Sequence, residues 1–198
     1  MAEGAAAIAA GQSFQDQRFE GGDLSGADLG GKDFTGCIFK GLRLPETRWR
    51  EARLEDCRFE DCDLSRLVPD GLGLRGVVFA GCKLMGADWS NVGAYPAVSF
   101  ERCDLRYASF VGLRLRKAAF TGSNLEEAQF VETELAEAGF ADCRLGGARF
   151  ERCDLRKASF AGSTGLVIAP AGNQLRGARV PIETAIRLAE SFGLKVLT

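Results

Sequence analysis

Large apolar side chains recur in this chain at every fifth residue. The series runs Phe14, Phe19, Leu24, Leu29, Phe34, Phe39, Leu44, Trp49, Leu54, Phe59, Leu64, Pro69, Leu74, Phe79, Leu84, Trp89. After a one-residue slip it resumes at Phe100 and continues as Phe or Leu to Phe160. Thirteen of the fourteen phenylalanines and both tryptophans stand at this position. Two residues earlier the chain carries a small or apolar residue, as at Ala27, Cys37 or Ala108, and all seven cysteines fall there. The other three places of each five are dominated by charged residues, Ser, Thr and Gly.

A period of five fits neither a helix at 3.6 residues nor a strand at 2. Two inward positions separated by one outward residue make a short extended segment, and the remaining residues must turn the chain. Sorting the apolar positions by fours gives pure columns. One reads Phe19, Phe39, Phe59, Phe79, Phe100, Phe120, Phe140, Phe160; the next reads Leu24, Leu44, Leu64, Leu84, Leu105, Leu125, Leu145. The columns stay pure only if four fives close one turn. The expected fold is therefore an all-β square solenoid of twenty residues per coil, its like side chains stacked at roughly the 4.8 Å spacing of strands. Residues 13–164 then form seven to eight coils, a rod of roughly 35–40 Å at that spacing.

Two irregularities are expected inside the rod. Pro69, in a stretch spanning residues 68–71, cannot donate to a strand ladder, which predicts a bulge. The slip lies in residues 90–99, where Tyr95 or Pro96 is expected to project as a small knuckle. Residues 1–12 read as an N-terminal leader or fragment of a cap. In residues 165–198, Pro181 suits a first helical position and Glu183 a first turn. Ile182, Ile186, Ala189 and Phe192 make an apolar stripe, Gly193 suits the stop, and Leu194–Leu197 could form a strand. This segment either caps its own rod or also joins two copies, with Ile182, Ile186, Ala189, Phe192, Leu194 and Val196 at the interface.

The chemistry of the chain argues against an active site. It has no histidine, the commonest general base and metal ligand. It has no phosphate-binding glycine loop. Cys37 and Cys57, and Cys62 and Cys82, are twenty apart and so stacked on adjacent coils, with Cβ vectors too nearly parallel for a good disulfide. None has the spacing of a zinc site. All seven cysteines read as buried small residues in a reducing compartment. No cofactor, metal or membrane span is expected, and the 27 acidic and 25 basic residues give no basic nucleic-acid footprint. The expectation is a cytoplasmic, non-catalytic binding protein.

The segments "GGDLSGADLGGKDF", "CDLRYASF" and "GSNLEEAQF" resemble the A(D/N)LXX motif of the pentapeptide-repeat family. The resemblance covers residues 13 to about 164 and implies a right-handed quadrilateral β-helix. Within the family, "CKLMGADWS", then "SFERCDL" and "SFVGLRLRKAAF", and finally "NQLRGARVPIETAIRLAESFGLKVL" are most similar to the albicidin-resistance type. That type and the Qnr-like and MfpA-like relatives are dimeric rods that resemble duplex DNA and engage DNA gyrase or topoisomerase IV. The resemblance implies the same partner here and protection of that enzyme from a poison. A structural scaffold for an unrelated partner is the alternative.

Two features depart from those relatives. Duplex DNA carries one charge per roughly 1.7 Å of axis, whereas this chain is nearly neutral, its faces mixed, with a basic run at Arg114, Arg116 and Lys117. The long loops of Qnr-like relatives have no counterpart. Asp88, Glu132 and Glu151, interleaved with Arg149 and Arg152, are nominated with the Tyr95–Pro96 knuckle as the partner-binding face.

Overall fold

The computed structural model describes residues 3–197. Its body is a square solenoid of about seven turns, built from parallel rungs. Phe19 pairs in register with Phe39, Phe39 with Phe59, and Phe59 with Phe79, each twenty residues on. Three of the four faces carry named ladders. One runs through Phe14, Phe34, Leu54 and Leu74, the next through Phe19 to Phe120, and another, fourth in chain order, through Phe110, Phe130 and Phe150. The remaining face, the leucine column and third in chain order, is held by single bridges such as Asp23 to Arg43 and Arg43 to Asp63. These are called faces one to four in the order Phe14, Phe19, Leu24, Leu29.

The corners are bonded as well. Outward residues there take a left-handed φ, glycine at many corners but also Asp56 (50°), Glu127 (58°) and Tyr107 (60°). That geometry aims the corner N–H along the axis. Gly36 N donates to Glu55 O at 2.9 Å, and Asp56 N to Arg75 O at 2.8 Å. Each coil therefore satisfies the next at faces and corners alike, as a buried backbone requires.

Inside, the rings pile up. Phe39 and Phe59 have centroids 4.3 Å apart and are 5° from parallel; Phe120 and Phe140 are 4.8 Å apart at 2°. Between columns the rings meet edge to face, as Phe120 and Phe130 do at 5.8 Å and 89°. The strand spacing imposes the parallel stack, and the edge-to-face contacts put the positive ring edge on the negative face of the neighbouring column.

The inner small position has a task that its size alone does not disclose. Cys57 Sγ donates to Phe34 O at 3.4 Å, and Cys153 Sγ to Phe130 O at 3.2 Å, each one coil below. Thr133 Oγ1 does the same to Phe110 O at 2.7 Å, and Asn173 Nδ2 to Phe150 O at 2.8 Å. All seven cysteines are free and buried. Burial pushes the thiols of Cys57 and Cys143 up to about 11.

The ends and the interruptions complete the picture. Helix α1 (Glu3–Ala10) lies across the first coil with Ala5 and Ile8 buried. Gly4 is needed for that approach, since a Cβ there would stand 2.9 Å from Glu20 N. Buried Lys32 donates to Gly11 O and Ala9 O, capping the C-terminal carbonyls of α1. Pro69 makes no bulge: it is buried in its column, and Val68 still bridges Arg48. The ring simply removes one rung, and the bridge from Val68 to Asp88 is missing from an otherwise regular series. The slip is real, because Phe79 pairs with Phe100, twenty-one residues on. The ladder also continues past residue 164, with Asp154 bridging Gln174 and Ser159 bridging Arg179.

Helix α2 (Ile182–Ser191) follows, with Pro181 one residue before it rather than in its first turn. Its seat is not the apolar stripe. Thr184 is the buried residue, donating to Leu166 O at 3.1 Å, while Ile186 and Ala189 are half-buried and Ile182 is exposed. Leu194–Leu197 forms no strand. No helix among the described residues is long and apolar enough to cross a membrane.

Candidate functional site

The knuckle at the slip is built by the extra residue. Pro96, Val98 and Phe100 turn inward along an extended stretch, which throws Tyr95 out to 74% exposure. Pro96 is thus part of the core and not of the surface: its ring fills the place that the displaced Tyr95 vacates. The Arg114 guanidinium lies 4.9 Å from the Tyr95 ring centroid and also pairs with Glu134 at 3.3 Å. On face one Tyr95 lines a shallow groove with Leu54, Leu74 and the Arg75–Glu55 pair at 3.3 Å.

The nominated acids do not share that face. Asp88 bridges Ser109, and Glu151 pairs with Val131, so both belong to face four. Glu132 stands at the corner between faces four and one, with φ 54°. A five-residue period fixes faces only when counted from the right side of the slip, and Tyr95 falls inside it. Asp88 is occupied locally, accepting from Ser90 N at 3.0 Å and Ser90 Oγ at 2.6 Å. Glu132 is paired with Arg152 at 2.9 Å. Glu151 is exposed and has no ion pair among the described residues.

One pattern recurs over much of the remaining surface. Carboxylates meet arginines one coil above or below: Arg43 with Asp23 at 3.1 Å, Arg53 with Asp33 at 3.2 Å, Arg66 with Glu46 at 2.5 Å. Exposed pairs like these stabilise by at most about 1 kcal/mol each. Their larger effect is to neutralise the faces. Arg106 and Arg156 instead fold back on Asp104 and Asp154 at 2.7 and 2.6 Å. Hydrogen bonds from those guanidiniums hold both carboxyls below the ordinary range. No group of three potential metal ligands comes together among the described residues.

Two exposed apolar surfaces remain. At the C-terminal end Ile182, Phe192, Leu194 and Leu197 are uncovered, Phe192 at 69%. On the rod, Tyr107 is 61% exposed at a left-handed corner, one coil above Gly86 and half-exposed Met85. The sequence held a signal for Tyr107. It is the single difference between FERCDLRYASF (100–110) and FERCDLRKASF (150–160), and a bulky ring at positive φ is uncommon.

Comparison with known proteins agrees with this architecture. A model of the pentapeptide repeat region matches residues 96–165, and one of pentapeptide repeats (8 copies) matches residues 18–48. No curated protein matches the chain. Among solved structures, trypsin-treated QnrB1, a plasmid-mediated fluoroquinolone resistance protein, aligns with a TM-score of 0.58 at 25% identity, over 93% of this chain and 90% of that one. Full-length QnrB1 aligns with a TM-score of 0.47 at 21% identity, over 92% and 90%. HetL, a pentapeptide repeat protein involved in heterocyst differentiation regulation from the cyanobacterium Nostoc sp. Strain PCC 7120, aligns at 0.44 and 19%, over 90% and 92%. Repeat models on both sides of the slip, together spanning just over half of the sequence, and a continuous four-column core place this chain in the pentapeptide repeat family.

Proposed function

We propose that this chain is a non-catalytic binding protein that docks on a type II topoisomerase, DNA gyrase or topoisomerase IV, and protects it from a poison. The observation that carries this reading is the likeness to QnrB1, a fluoroquinolone resistance protein, across nearly the whole of both chains. The sequence layout similar to the albicidin-resistance type points the same way. The rod has the stiffness that such docking needs, because every coil is bonded to the next at faces and corners.

Recognition on this reading is by shape and a few contacts rather than bulk charge, since acids exceed bases by only two. Tyr95, braced by Arg114, is the anchor, and Glu151 is the carboxylate free to meet a cation of the enzyme. Asp88 and Glu132 would contribute only by exchanging their present partners. The exposed C-terminal residues Ile182, Phe192, Leu194 and Val196 join two copies into a dimer, with Ile186 and Ala189 at its edge. The place of action is the cytoplasm, with no cofactor and no direct contact to nucleic acid.

The near balance of charge supports a second reading, a scaffold for an unrelated protein. A supercoiling assay separates them: gyrase, relaxed plasmid and a fluoroquinolone or albicidin, with and without this protein. Restored supercoiling supports topoisomerase protection. Unchanged inhibition by both drugs, together with no capture of gyrase subunits, leaves the scaffold reading.

A further inference from the structure

Fifty residues are two and a half coils, so the twin segments stand on opposite sides of the rod. Arg106 and Tyr107 mark the corner between faces three and four; Arg156 and Lys157 mark the corner diagonally across. The local structure repeats closely. Each arginine forks onto the aspartate two residues earlier, and φ is 60° at Tyr107 and 59° at Lys157. Only the tip has changed, from a ring to a cation.

The neighbourhood of Lys157 has changed with it. Arg116, Glu137, Arg156, Lys157 and Arg176 line a groove of about 500 Å³. Its one carboxylate is shared, Glu137 lying 3.6 Å from Arg116 and 3.9 Å from Lys117. Asp154 is taken by Arg156. Lys157 and Arg176 have no ion pair among the described residues, although Lys157 N donates to Arg176 O at 3.0 Å, which sets their segments on successive coils. The same corner nearer the N-terminus carries Asp16, Glu55 and Asp56.

In one column the charges alternate along the axis. The column Asp23, Arg43, Asp63, Lys83, Asp104 changes sign at every bridge. Here Arg156 stands beneath Arg176 instead, and like charges on neighbouring strands repel. An anion seated between them would relieve that repulsion.

We infer that this groove docks an acidic segment of a partner protein. Guanidinium forks donate two parallel hydrogen bonds to a carboxylate, and Lys157 adds a mobile point charge. From Lys117 to Gly177 is three coil spacings, about 14 Å, the reach of about four extended residues. Duplex DNA fits less well. Its affinity comes from a long row of phosphate contacts, and Glu134, Glu137 and Asp154 flank this short cationic stretch. The inference does not depend on the topoisomerase reading.

The test is fluorescence anisotropy of fluorescein-labelled hexaglutamate with the full chain at low salt. Lys157→Tyr combined with Arg176→Gln should weaken binding about tenfold or more, equivalent to about 1.4 kcal/mol. Arg106→Gln, on the opposite corner, should change it less than about twofold. Lys157→Tyr alone should already weaken it, and the corner accepts that side chain at Tyr107; thermal melts check that each variant is folded. The inference is overturned by no binding of the peptide, by equal loss in Arg106→Gln, or by an unlabelled DNA duplex displacing the peptide at lower total charge than unlabelled hexaglutamate.

Discussion

Trp49 and Trp89 occupy the same column two coils apart, yet only one has its indole N–H satisfied. Trp49 Nε1 donates to Thr47 Oγ1 at 2.8 Å, and that hydroxyl donates onward to Leu44 O at 2.7 Å. At Trp89 the matching residue is Ala87, and Trp89 Nε1 is buried without a partner. Ala87→Thr should transplant the arrangement. The turn is the same, with Thr47 N bonded to Leu44 O at 3.4 Å and Ala87 N to Leu84 O at 3.2 Å. The space is comparable too, since each site has one alanine and Leu67 as its vertical neighbours: Ala27 and Leu67 for Thr47, Leu67 and Ala108 for Ala87. An unsatisfied buried donor costs about 1–3 kcal/mol, and the inserted methyl could cost about 1 where packing is tight. The expected net is a gain of about 1 kcal/mol, or roughly 2–4 °C in Tm for a chain of this length. Thermal and urea unfolding followed by circular dichroism would measure it. Ala87→Val has the shape without the oxygen and should destabilise. Thr47→Ala orphans the other indole and should cost about 1–3 kcal/mol. If Ala87→Thr melts no higher than Ala87→Val, the orphaned donor is not what limits this site.

Other expectations follow from single residues. Gly165 has φ +73° and a Cβ would lie 2.8 Å from Gly146 N, so Gly165→Ala should cost about 2 kcal/mol or more. Gly112, at φ +68° with open space, should lose only about 1 kcal/mol on the same change, and equal losses would deny the clash. The raised thiols of Cys57 and Cys143 set a pH trend. The folded chain keeps protons that the unfolded chain releases near pH 8.5, so this stabilisation is full below that pH and is lost as pH rises towards 11. A urea midpoint that does not fall between pH 8 and 10, or falls equally in a Cys57→Ala, Cys143→Ala variant, would contradict it. Light scattering should give a dimer mass that Phe192→Glu with Leu194→Glu reduces to a monomer; a monomeric parent at micromolar concentration removes the dimer.

The columns were legible because a closed square coil leaves one large inward position in every five, and nothing but Phe, Leu or Trp fills most of those places. Leu194–Leu197 reads as a strand by composition, yet it pairs with no strand among the described residues. Pro69 makes no bulge because the coil below still holds its neighbour in register, Trp49 N donating to Val68 O at 2.9 Å, while the ring itself is buried in its column. Pro96 and Tyr95 could not be told apart by counting, since both lie inside the slip, and burial chose the smaller ring. The faces of Asp88 and Glu151 follow from bridges on either side of that slip. The roles of Cys57 and Cys153 as donors to Phe34 and Phe130 carbonyls appear only when one coil is placed on the next. The pairing of Tyr107 with Lys157 was open to view from the start, but its meaning needed the half-turn between them.

On the proposed function this rod docks on a type II topoisomerase, and the DNA-like shape of the relatives it resembles implies that it does so in place of duplex. The direct measurement is a titration of the purified protein onto immobilised gyrase holoenzyme, repeated in the presence of saturating linear duplex. The account predicts saturable binding that the duplex abolishes and that Tyr95→Ala weakens. Absence of binding, or binding that saturating duplex leaves unchanged, would contradict it.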